Sequence, residues 1–322
     1  MRKTFVRCLL AFGLLTAVIP ASHAQKSYIE PEGFSIGFNF GMTDLWGDVG
    51  TKSILDHYTN EGYFDQPCFM GGLYGRYTIH PAAVVRFGLN YGVAYASDDW
   101  NKDLAYEAKF IEEDAFQRYL RNQTTKTDLF EGNVMLEINL FRFNAGTFGS
   151  LAWKRFTPYA LLGVGYFNYN TKNKLVDPTG GYADKWVSTY DLNLEGDGWF
   201  GTTNNDKRES RWGMQVPLGF GVKWDIGKRL NIGVEYLYRY TFKDQIDGVS
   251  GNYIDPSLFD KNLSAQQAAQ AKAMYDRSYL INPVIQHAPG EKRGNPEVND
   301  GYSTFGISLY WKLNKKRKPW WY

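Results

Sequence analysis

The feature that most constrains this sequence is a two-residue alternation of large apolar side chains with small or polar ones. In residues 33–43, every second residue is Phe, Ile or Met, and the residues between them are Gly, Ser, Asn or Thr. The same alternation runs through residues 84–96, 213–224 and 230–241. Successive side chains of a β-strand point to opposite faces, so each segment predicts a strand with one apolar and one polar face. Membrane-spanning barrel strands show this pattern over roughly 9 to 11 residues.

Four weaker segments extend the set of strands. They cover residues 68–79, 129–143, 156–169 and 302–313. The third of these is apolar on both faces, so its inward side stays open. Pro217 lacks a backbone N–H and predicts a bulge in its strand. The sequence therefore predicts an all-β fold, an eight-stranded antiparallel transmembrane β-barrel of up-and-down meander topology.

The connections between these strands alternate in length. The long ones cover residues 44–67, 97–126, 171–208 and 244–300, and the short ones cover residues 80–83, 144–154 and 226–229. Outer-membrane barrels have short periplasmic turns and long extracellular loops, whereas a soluble sandwich shows no such parity. Helices are expected in two of the long extracellular loops, at residues 111–121 and at residues 265–276 behind a Ser264–Gln267 capping box.

The N-terminal segment has the three-part layout of a secretory signal peptide. Arg2, Lys3 and Arg7 precede an apolar run at residues 8–19, and Ser-His-Ala at residues 22–24 offers a cleavage site. We therefore expect residues 1–24 to be removed and residues 25–322 to form the mature barrel. The apolar run is shorter than the about 20 residues of a spanning helix. Export to the outer membrane, with its lipids as surroundings, is the predicted localisation.

The mature chain carries little sign of enzymatic or nucleic-acid chemistry. Without the signal peptide it has 33 basic and 34 acidic residues, a balance that disfavours nucleic acid as a partner. Cys68 is the only mature cysteine, which excludes an internal disulfide and a cysteine metal site. His57, His80 and His287 belong to no recognisable metal or nucleophile motif, although a Ser could meet one of them in space. The sequence predicts no enzyme, no cofactor and no metal.

Charged residues nevertheless occupy inward positions of the expected strands. An eight-stranded barrel is only wide enough to be filled by side chains, and an unpaired buried charge costs several kcal/mol. We therefore predict a structural network of salt bridges across the lumen, with a proton or ion path as the alternative. Its members are Arg76, Arg86, Glu137, Lys223, Glu235, Arg239 and Lys312.

The C-terminal tail follows the last strand and should lie on the periplasmic side. It combines positive charges with aromatic side chains, at Lys315, Lys316, Arg317, Lys318, Trp320 and Trp321. Such a tail can anchor at a membrane interface, where each basic residue contributes about 1 kcal/mol at an anionic surface. It can also form a periplasmic partner-binding surface, because aromatic and basic side chains often anchor protein interfaces. Both interpretations stay open.

Residues 238–256 read Tyr-Arg-Tyr-Thr-Phe-Lys-Asp-Gln-Ile-Asp-Gly-Val-Ser-Gly-Asn-Tyr-Ile-Asp-Pro. This run resembles the strand and loop signature of the PorG-like outer-membrane β-barrel family of Bacteroidota, which serves the type IX secretion system. Residues 72–81, 217–224 and 194–196 add weaker support. The resemblance implies an accessory role in protein secretion, through contact with a periplasmic ring formed by PorK and PorN. A small porin-like barrel and an adhesin-type surface barrel are the alternatives.

Overall fold

The structure is a computed structural model that describes residues 33–51, 66–80, 82–140, 156–176, 185–202, 204–226 and 229–313. Strands dominate these residues. In chain order they are β1 (Gly33–Trp46), β2 (Phe69–His80), β3 (Ala83–Ser97), β4 (Thr124–Asn139), β5 (Phe156–Leu175), β6 (Lys185–Ser188), β7 (Trp212–Asp225), β8 (Leu230–Thr241) and β9 (Gly301–Lys312). The predicted signal peptide, residues 1–24, lies outside the described residues.

Eight of these strands close into a barrel. Each pairs antiparallel with its neighbours in the chain, and β1 pairs with β9 from Ser35–Lys312 to Trp46–Gly301. The short strand β6 pairs alongside the end of β5, from Lys172–Ser188 to Leu175–Lys185, while the wall continues directly from β5 to β7. The predicted eight-stranded antiparallel up-and-down barrel is therefore confirmed.

The two faces of the wall differ as the alternation predicts. On β3, Phe87, Leu89 and Tyr91 point outward and are more than half exposed, while Arg86 and Asn90 point inward and are buried. On β8, Val234 is exposed and its neighbour Glu235 is buried. The period of two thus places the apolar side chains outside and the polar side chains in the lumen.

Strand β5 is longer than its predicted segment, which ended at residue 169. Beyond Tyr166 its outward side chains become polar, at Asn168, Asn170 and Lys172, while the ladder to β4 continues. The apolar alternation of the outward face ends there, although the backbone pairing with β4 continues to Thr125–Asn173. Strand β4, which pairs with β5 in this ladder, ends at Asn139, four residues earlier than predicted.

The bulge predicted at Pro217 is wrong. Pro217 pairs with Arg239, and the register of β7 against β8 is unbroken from Gln215–Thr241 to Asp225–Asn231. On the β5 side the paired residues stop at Leu162–Leu218 and resume at Gly165–Gln215, so Pro217 interrupts that ladder without shifting its register. A register shift is found elsewhere in the wall, between β2 and β3, where it lies between Thr78 and His80.

The long connections meet at one end of the barrel, called here the long-loop end, and the short ones meet at the short-turn end. The long connections contain the helices α1 (Lys102–Glu107), α2 (Asp114–Arg121), α3 (Thr189–Leu192), α4 (Ser257–Asn262) and α5 (Ala265–Tyr275). The Ser264–Gln267 capping box is confirmed at the start of α5. Helix α2 begins at Asp114 rather than at residue 111. In the described residues, no helix has the length and apolarity needed to cross a membrane.

The described parts of residues 98–123, 185–211 and 242–300 form what we call the cap. Helices α3, α4 and α5 share a buried apolar cluster with the end of β5. The cluster contains Leu175, Leu192, Leu194, Tyr253, Ile254, Leu258, Phe259, Ala268, Ala271, Met274 and Tyr275. The long connections therefore fold into a packed layer over the long-loop end.

Candidate functional site

The lumen near the short-turn end is filled by an ionic cluster centred on Glu137. Its Oε1 lies 2.6 Å from Nη2 of Arg76 and 2.5 Å from Nζ of Lys223. These residues come from β2, β4 and β7, so the contacts cross the interior. All three side chains are at most about one-twentieth exposed. One carboxylate therefore pairs with two buried cations.

Arg86 and Glu235 extend this cluster. Arg86 Nη1 lies 2.8 Å from Glu235 Oε1 and 3.8 Å from Glu137 Oε2. Tyr159 donates its hydroxyl to Glu235 at 2.6 Å. We call the five charged residues Arg76, Arg86, Glu137, Lys223 and Glu235 the lower ionic layer. Aromatic rings cover its guanidinium groups, with Arg76 4.3 Å from the ring centre of Tyr310 and Arg86 4.2 Å from that of Tyr74.

A second layer lies nearer the long-loop end and is centred on Glu131. Arg239 Nη2 lies 2.9 Å from Glu131 Oε1, and Tyr302 donates its hydroxyl to Oε2 at 2.6 Å. Gln215 and Asn90 each donate an amide hydrogen to the same carboxylate at 2.7 Å. We call these five residues the upper polar layer. Both oxygens of the Glu131 carboxylate therefore accept hydrogen bonds, as expected for a buried carboxylate.

The structure places all seven predicted lumen residues in buried positions. Five form the lower ionic layer and Arg239 belongs to the upper polar layer. Lys312 stands apart, because its Nζ lies 3.1 Å from Asp225 Oδ1 near the short-turn end. Glu131 was missed by the sequence reasoning, although it lies six residues before Glu137 and therefore on the same face of β4. The tail residues from Lys315 to Trp321 lie outside the described residues.

The mouth at the long-loop end is closed by an apolar insertion from the β8–β9 connection. Residues 246–249, called here the stopper, place Ile246 and Val249 in a buried cluster of wall and loop side chains. That cluster includes Leu45, Met70, Ala94, Ala96, Trp100, Leu129, Phe167, Tyr169 and Tyr302. The stopper lies within residues 238–256, the run that carries the family resemblance. Sequence reasoning marked this segment but did not place it inside the mouth.

Hydrogen bonds from both the wall and the cap hold the stopper. Thr127 on β4 and Thr171 on β5 each donate a hydroxyl to the carbonyl oxygen of Ile246 at 2.7 Å. Asp300 Oδ2 accepts the N–H of Ile246 at 2.8 Å and that of Asp247 at 3.3 Å.

The carboxylate of Asp247 binds backbone on both sides of the mouth. Its Oδ1 accepts the N–H of Val249 at 2.8 Å, and its Oδ2 accepts that of Val49 at 2.7 Å. Glu195 accepts the N–H groups of Ser250 and Gly251 at 2.8 and 2.9 Å. The polypeptide around the stopper is thus held mainly by carboxylates that accept backbone hydrogen bonds.

The carboxyl groups beside the stopper bind protons more tightly than free carboxyls do. Burial, reinforced by the charge of Asp48, raises the pKa of Asp247 to about 7. Burial and the neighbouring Asp247 raise the pKa of Asp244 to about 8, and burial and Asp247 also raise the pKa of Asp300. Asp276, elsewhere in the cap, behaves oppositely. Although burial opposes the change, hydrogen bonds from His287 and Ser278 lower the pKa of Asp276 to about 2.

A comparison with protein families matches residues 35–255 to a family described as "Domain of unknown function (DUF6089)". The chain belongs to the DUF6089 family. The DUF6089 match runs from β1 through the stopper. It includes the whole lower ionic layer and all of the upper polar layer except Tyr302, which lies on β9. No curated protein sequence matches this chain.

Two solved structures resemble this DUF6089 chain. One is the attachment invasion locus protein Ail of Yersinia pestis, in complex with the heparin analogue sucrose octasulfate, with 10% identity and a TM-score of 0.35. The other is neisserial surface protein A, NspA, with 11% identity and a TM-score of 0.37. Each match covers 88% of this chain and 99% of the other chain.

Two histidines in the described part of this DUF6089 chain, His80 and His287, have structural contacts. His287 lies 3.2 Å from Asp276 and stacks on Tyr253 with ring centres 4.2 Å apart. Ser278 donates its hydroxyl hydrogen to Asp276 and not to His287. His80 accepts a turn N–H, and His57 lies outside the described residues. Within the described ranges, no three His, Cys, Asp or Glu side chains are arranged to hold a metal ion.

Proposed function

We propose that this chain is a non-enzymatic outer-membrane β-barrel that is sealed along its lumen and carries a folded cap outside the cell. The observation that carries the proposal is the contrast between a lumen filled with ion pairs and an outer wall covered with exposed apolar side chains. Continuous apolar patches of more than a few hundred Å² are rare on soluble monomers. Exposed members of this wall include Phe34, Ile36, Phe38, Leu73, Phe87, Leu89, Val134, Val164, Phe220, Phe305, Ile307 and Trp311.

The apolar outer surface of the wall ends at a defined height along the strands, as expected for a belt in contact with lipid. On β4 the outward side chains change from polar at Asp128 to apolar at Phe130, and Leu140 is still exposed. Beside it, the stacked rings of Tyr166 and Trp212 lie 5.5 Å apart at the long-loop edge. Aromatic side chains are enriched at both borders of a membrane barrel. The spacing on β4 fits the roughly 9 to 11 residues that a tilted strand needs to cross the bilayer.

A charged substitution on the wall tests membrane insertion. Val234→Arg places a cation on the apolar belt and should destabilise the barrel in lipid vesicles by about 2 to 4 kcal/mol. Val284→Arg, at an almost fully exposed cap position, is the matched control and should change stability by less than about 0.5 kcal/mol. Equal stability of both variants in denaturant titrations would show that Val234 does not face lipid.

We further propose that the barrel is an accessory component of the type IX secretion system that contacts a periplasmic ring of PorK and PorN. The resemblance of residues 238–256 supports this role. The filled lumen supports it as well, because an eight-stranded barrel with interior ion pairs cannot pass a folded cargo. A translocation path must then belong to another protein.

The tail at residues 315–322 is the proposed contact with the ring. Replacing it by an equally long Gly/Ser segment should leave the barrel inserted, reduce co-purification of the ring and reduce secretion. Replacement of Trp320 and Trp321 alone separates aromatic from basic contributions. If the Gly/Ser variant retains both its periplasmic partners and normal secretion, the tail serves only as an interfacial anchor.

An adhesin-type function is the second candidate, and the cap surface favours it. Phe200 is fully exposed, and Tyr106, Phe110 and Ile111 are more than half exposed on the connection between β3 and β4. Changing these four residues to Ser should weaken attachment of cells to surfaces if they bind a partner outside the cell. Loss of attachment with secretion intact favours the adhesin, and the reverse outcome favours the secretion role.

A further inference from the structure

Carboxylates outnumber cations around the stopper. The carboxylates around the mouth are Asp48, Asp98, Glu195, Asp197, Asp244, Asp247 and Asp300. The cations around it are Arg118, Arg121, Lys243 and Arg293. All four cations lie close to carboxylates other than Asp247 and Asp300. Arg121 binds Asp98 at 2.8 Å, Arg293 binds Glu195 at 2.6 Å, and Lys243 lies 3.4 Å from Glu209. Arg118 binds Asp114 at 2.8 Å and lies 3.8 Å from Asp48.

Asp247 and Asp300 are left with backbone donors alone. Both are buried, and among the described residues no Lys or Arg nitrogen lies within 4.0 Å of either carboxylate. Both also crowd the backbone of Gly47, where an added Cβ would lie 2.4 Å from Asp247 Oδ2 and 2.7 Å from Asp300 Oδ1. The two carboxyl groups therefore face each other across a glycine in a site without a neutralising cation. Like charges in such a site are strongly disfavoured.

The contacts of these two groups are also the contacts that seat the stopper. Asp300 binds the amides of Ile246 and Asp247, and Asp247 binds those of Val49 and Val249. A change in their charge therefore acts directly on the segment that closes the mouth. The charge of Arg121 opposes the repulsion, since it lowers the pKa of Asp247.

We propose that the stopper is a pH-sensitive closure, seated while a proton is shared in the Asp247 and Asp300 site and loosened when that proton is lost. This proposal adds a regulatory step to the sealed barrel proposed above. It rests on that function, because the mouth is outside the cell only if the barrel lies in the outer membrane. It assigns a regulatory role to the segment that carries the family resemblance. The lower ionic layer, which pairs its charges, takes no part in the change.

The direction of the pH effect follows from the raised pKa values. In a released stopper, Asp247 would lose its proton near its ordinary pKa of 3.8, whereas in the seated state its pKa is about 7. The seated state therefore binds the extra proton, and its advantage is complete below about pH 4. The advantage declines as the pH rises from about 4 to about 7, and is lost above that pH.

Thiol labelling of the stopper tests this proposal. In a Cys68→Ser background, Val249→Cys places a thiol in the buried cluster, and Val284→Cys supplies an exposed reference. Dividing the maleimide reaction rate of the first by that of the second removes most of the pH dependence of the thiol itself. We expect this ratio to rise about tenfold or more between about pH 5.5 and pH 8.5.

The variant Asp300→Asn should reduce the rise, because one of the two titrating carboxyl groups is removed, while burial and Asp48 still raise the pKa of Asp247. Its amide oxygen can still accept the N–H of Ile246, and its amide nitrogen can donate to Asp247 as a protonated carboxyl would. Asp260→Asn, which removes a carboxylate of the same cap that pairs with Lys272 on the surface, should leave the rise unchanged.

Two results would overturn the proposal. One is a labelling ratio that stays constant across this pH range, and the other is an equal rise in the Asp300→Asn variant. Far-UV circular dichroism at both pH values separates a loosened stopper from an unfolded barrel. Loss of the strand signal at high pH would also contradict the proposal, because the wall and not the stopper would then respond. Failure of the sealed-barrel function would appear separately, as absence of the protein from the outer-membrane fraction.

Discussion

The lower ionic layer and the stopper both close the lumen, but by different chemistry. In the lower ionic layer, Glu137 and Glu235 meet Arg76, Arg86 and Lys223 through side-chain contacts that come from rigid strands. At the mouth, Ile246 and Val249 fill an apolar cluster, and the carboxylates beside them accept backbone hydrogen bonds from loops.

One barrel can therefore carry both a permanent seal and a conditional one. Paired charges on strands can change only if the wall itself changes, because each partner is fixed by the sheet. A loop held by carboxylates without a paired cation can leave when those groups lose a proton, and the wall need not move. The predictions below separate these two regions, beginning with the largest expected effect.

Glu137→Ala should cause the largest loss, because it leaves Arg76 and Lys223 buried without their shared carboxylate. We expect the free energy of unfolding to fall by about 3 to 5 kcal/mol in urea titrations of the barrel in lipid or detergent. Asp128→Ala on the same strand is the control. Asp128 pairs with Lys172 near the surface, so its loss should cost at most about 1 kcal/mol. A loss of stability no larger than that of the control would mean that the lower ionic layer contributes little to the stability of the barrel.

Ile246→Ala should act on the other region alone. Removing this fully buried side chain should destabilise the seated stopper by about 2 kcal/mol or more, because a cavity remains in the apolar cluster. Hydrogen exchange should show faster exchange in the cap while the amides of β4 and β8 stay protected. Val284→Ala, at an exposed site, should change neither. Global loss of protection in the Ile246 variant would indicate that cap and wall unfold together.

Thr127→Val should produce the smallest effect, about 1 kcal/mol on stopper opening, because one of the two hydroxyl donors to Ile246 is removed. The matched control is Thr125→Val on the same strand. Thr125 is equally buried, and its hydroxyl has no hydrogen-bond partner in the described part of the chain, so this change should not destabilise the stopper. Equal hydrogen-exchange rates in the two variants would show that the Thr127 hydrogen bond does not hold the loop.

Most of the barrel wall could be predicted from the sequence, because the period of two is enforced wherever one face meets an apolar medium and the other a polar one. Arg86 and Glu235 follow directly from that period. The wall was predicted less well where this contrast ends, as beyond Tyr166 on β5, since polar outward residues do not mark a strand. The bulge predicted at Pro217 was wrong because a proline can occupy a ladder position without shifting the register.

The stopper could not be predicted from local sequence patterns. Ile246 and Val249 are isolated apolar residues in a polar loop, and their burial depends on where the loop returns to the barrel. Asp300, which binds the stopper, lies more than fifty residues away along the chain. Such a contact depends on the tertiary fold, and neither alternation nor capping signals encode it.

The most direct test of a sealed lumen is the conductance of the purified barrel in planar bilayers. Because side chains fill both the lower ionic layer and the upper polar layer whether or not the stopper is seated, we expect no more than brief, small current steps at neutral pH. Neutralising Lys223 should then change stability without creating or removing a stable channel. Stable, large openings of the parent barrel that disappear when Lys223 is neutralised would contradict the account, because the charged layers would then line a path and not form a seal.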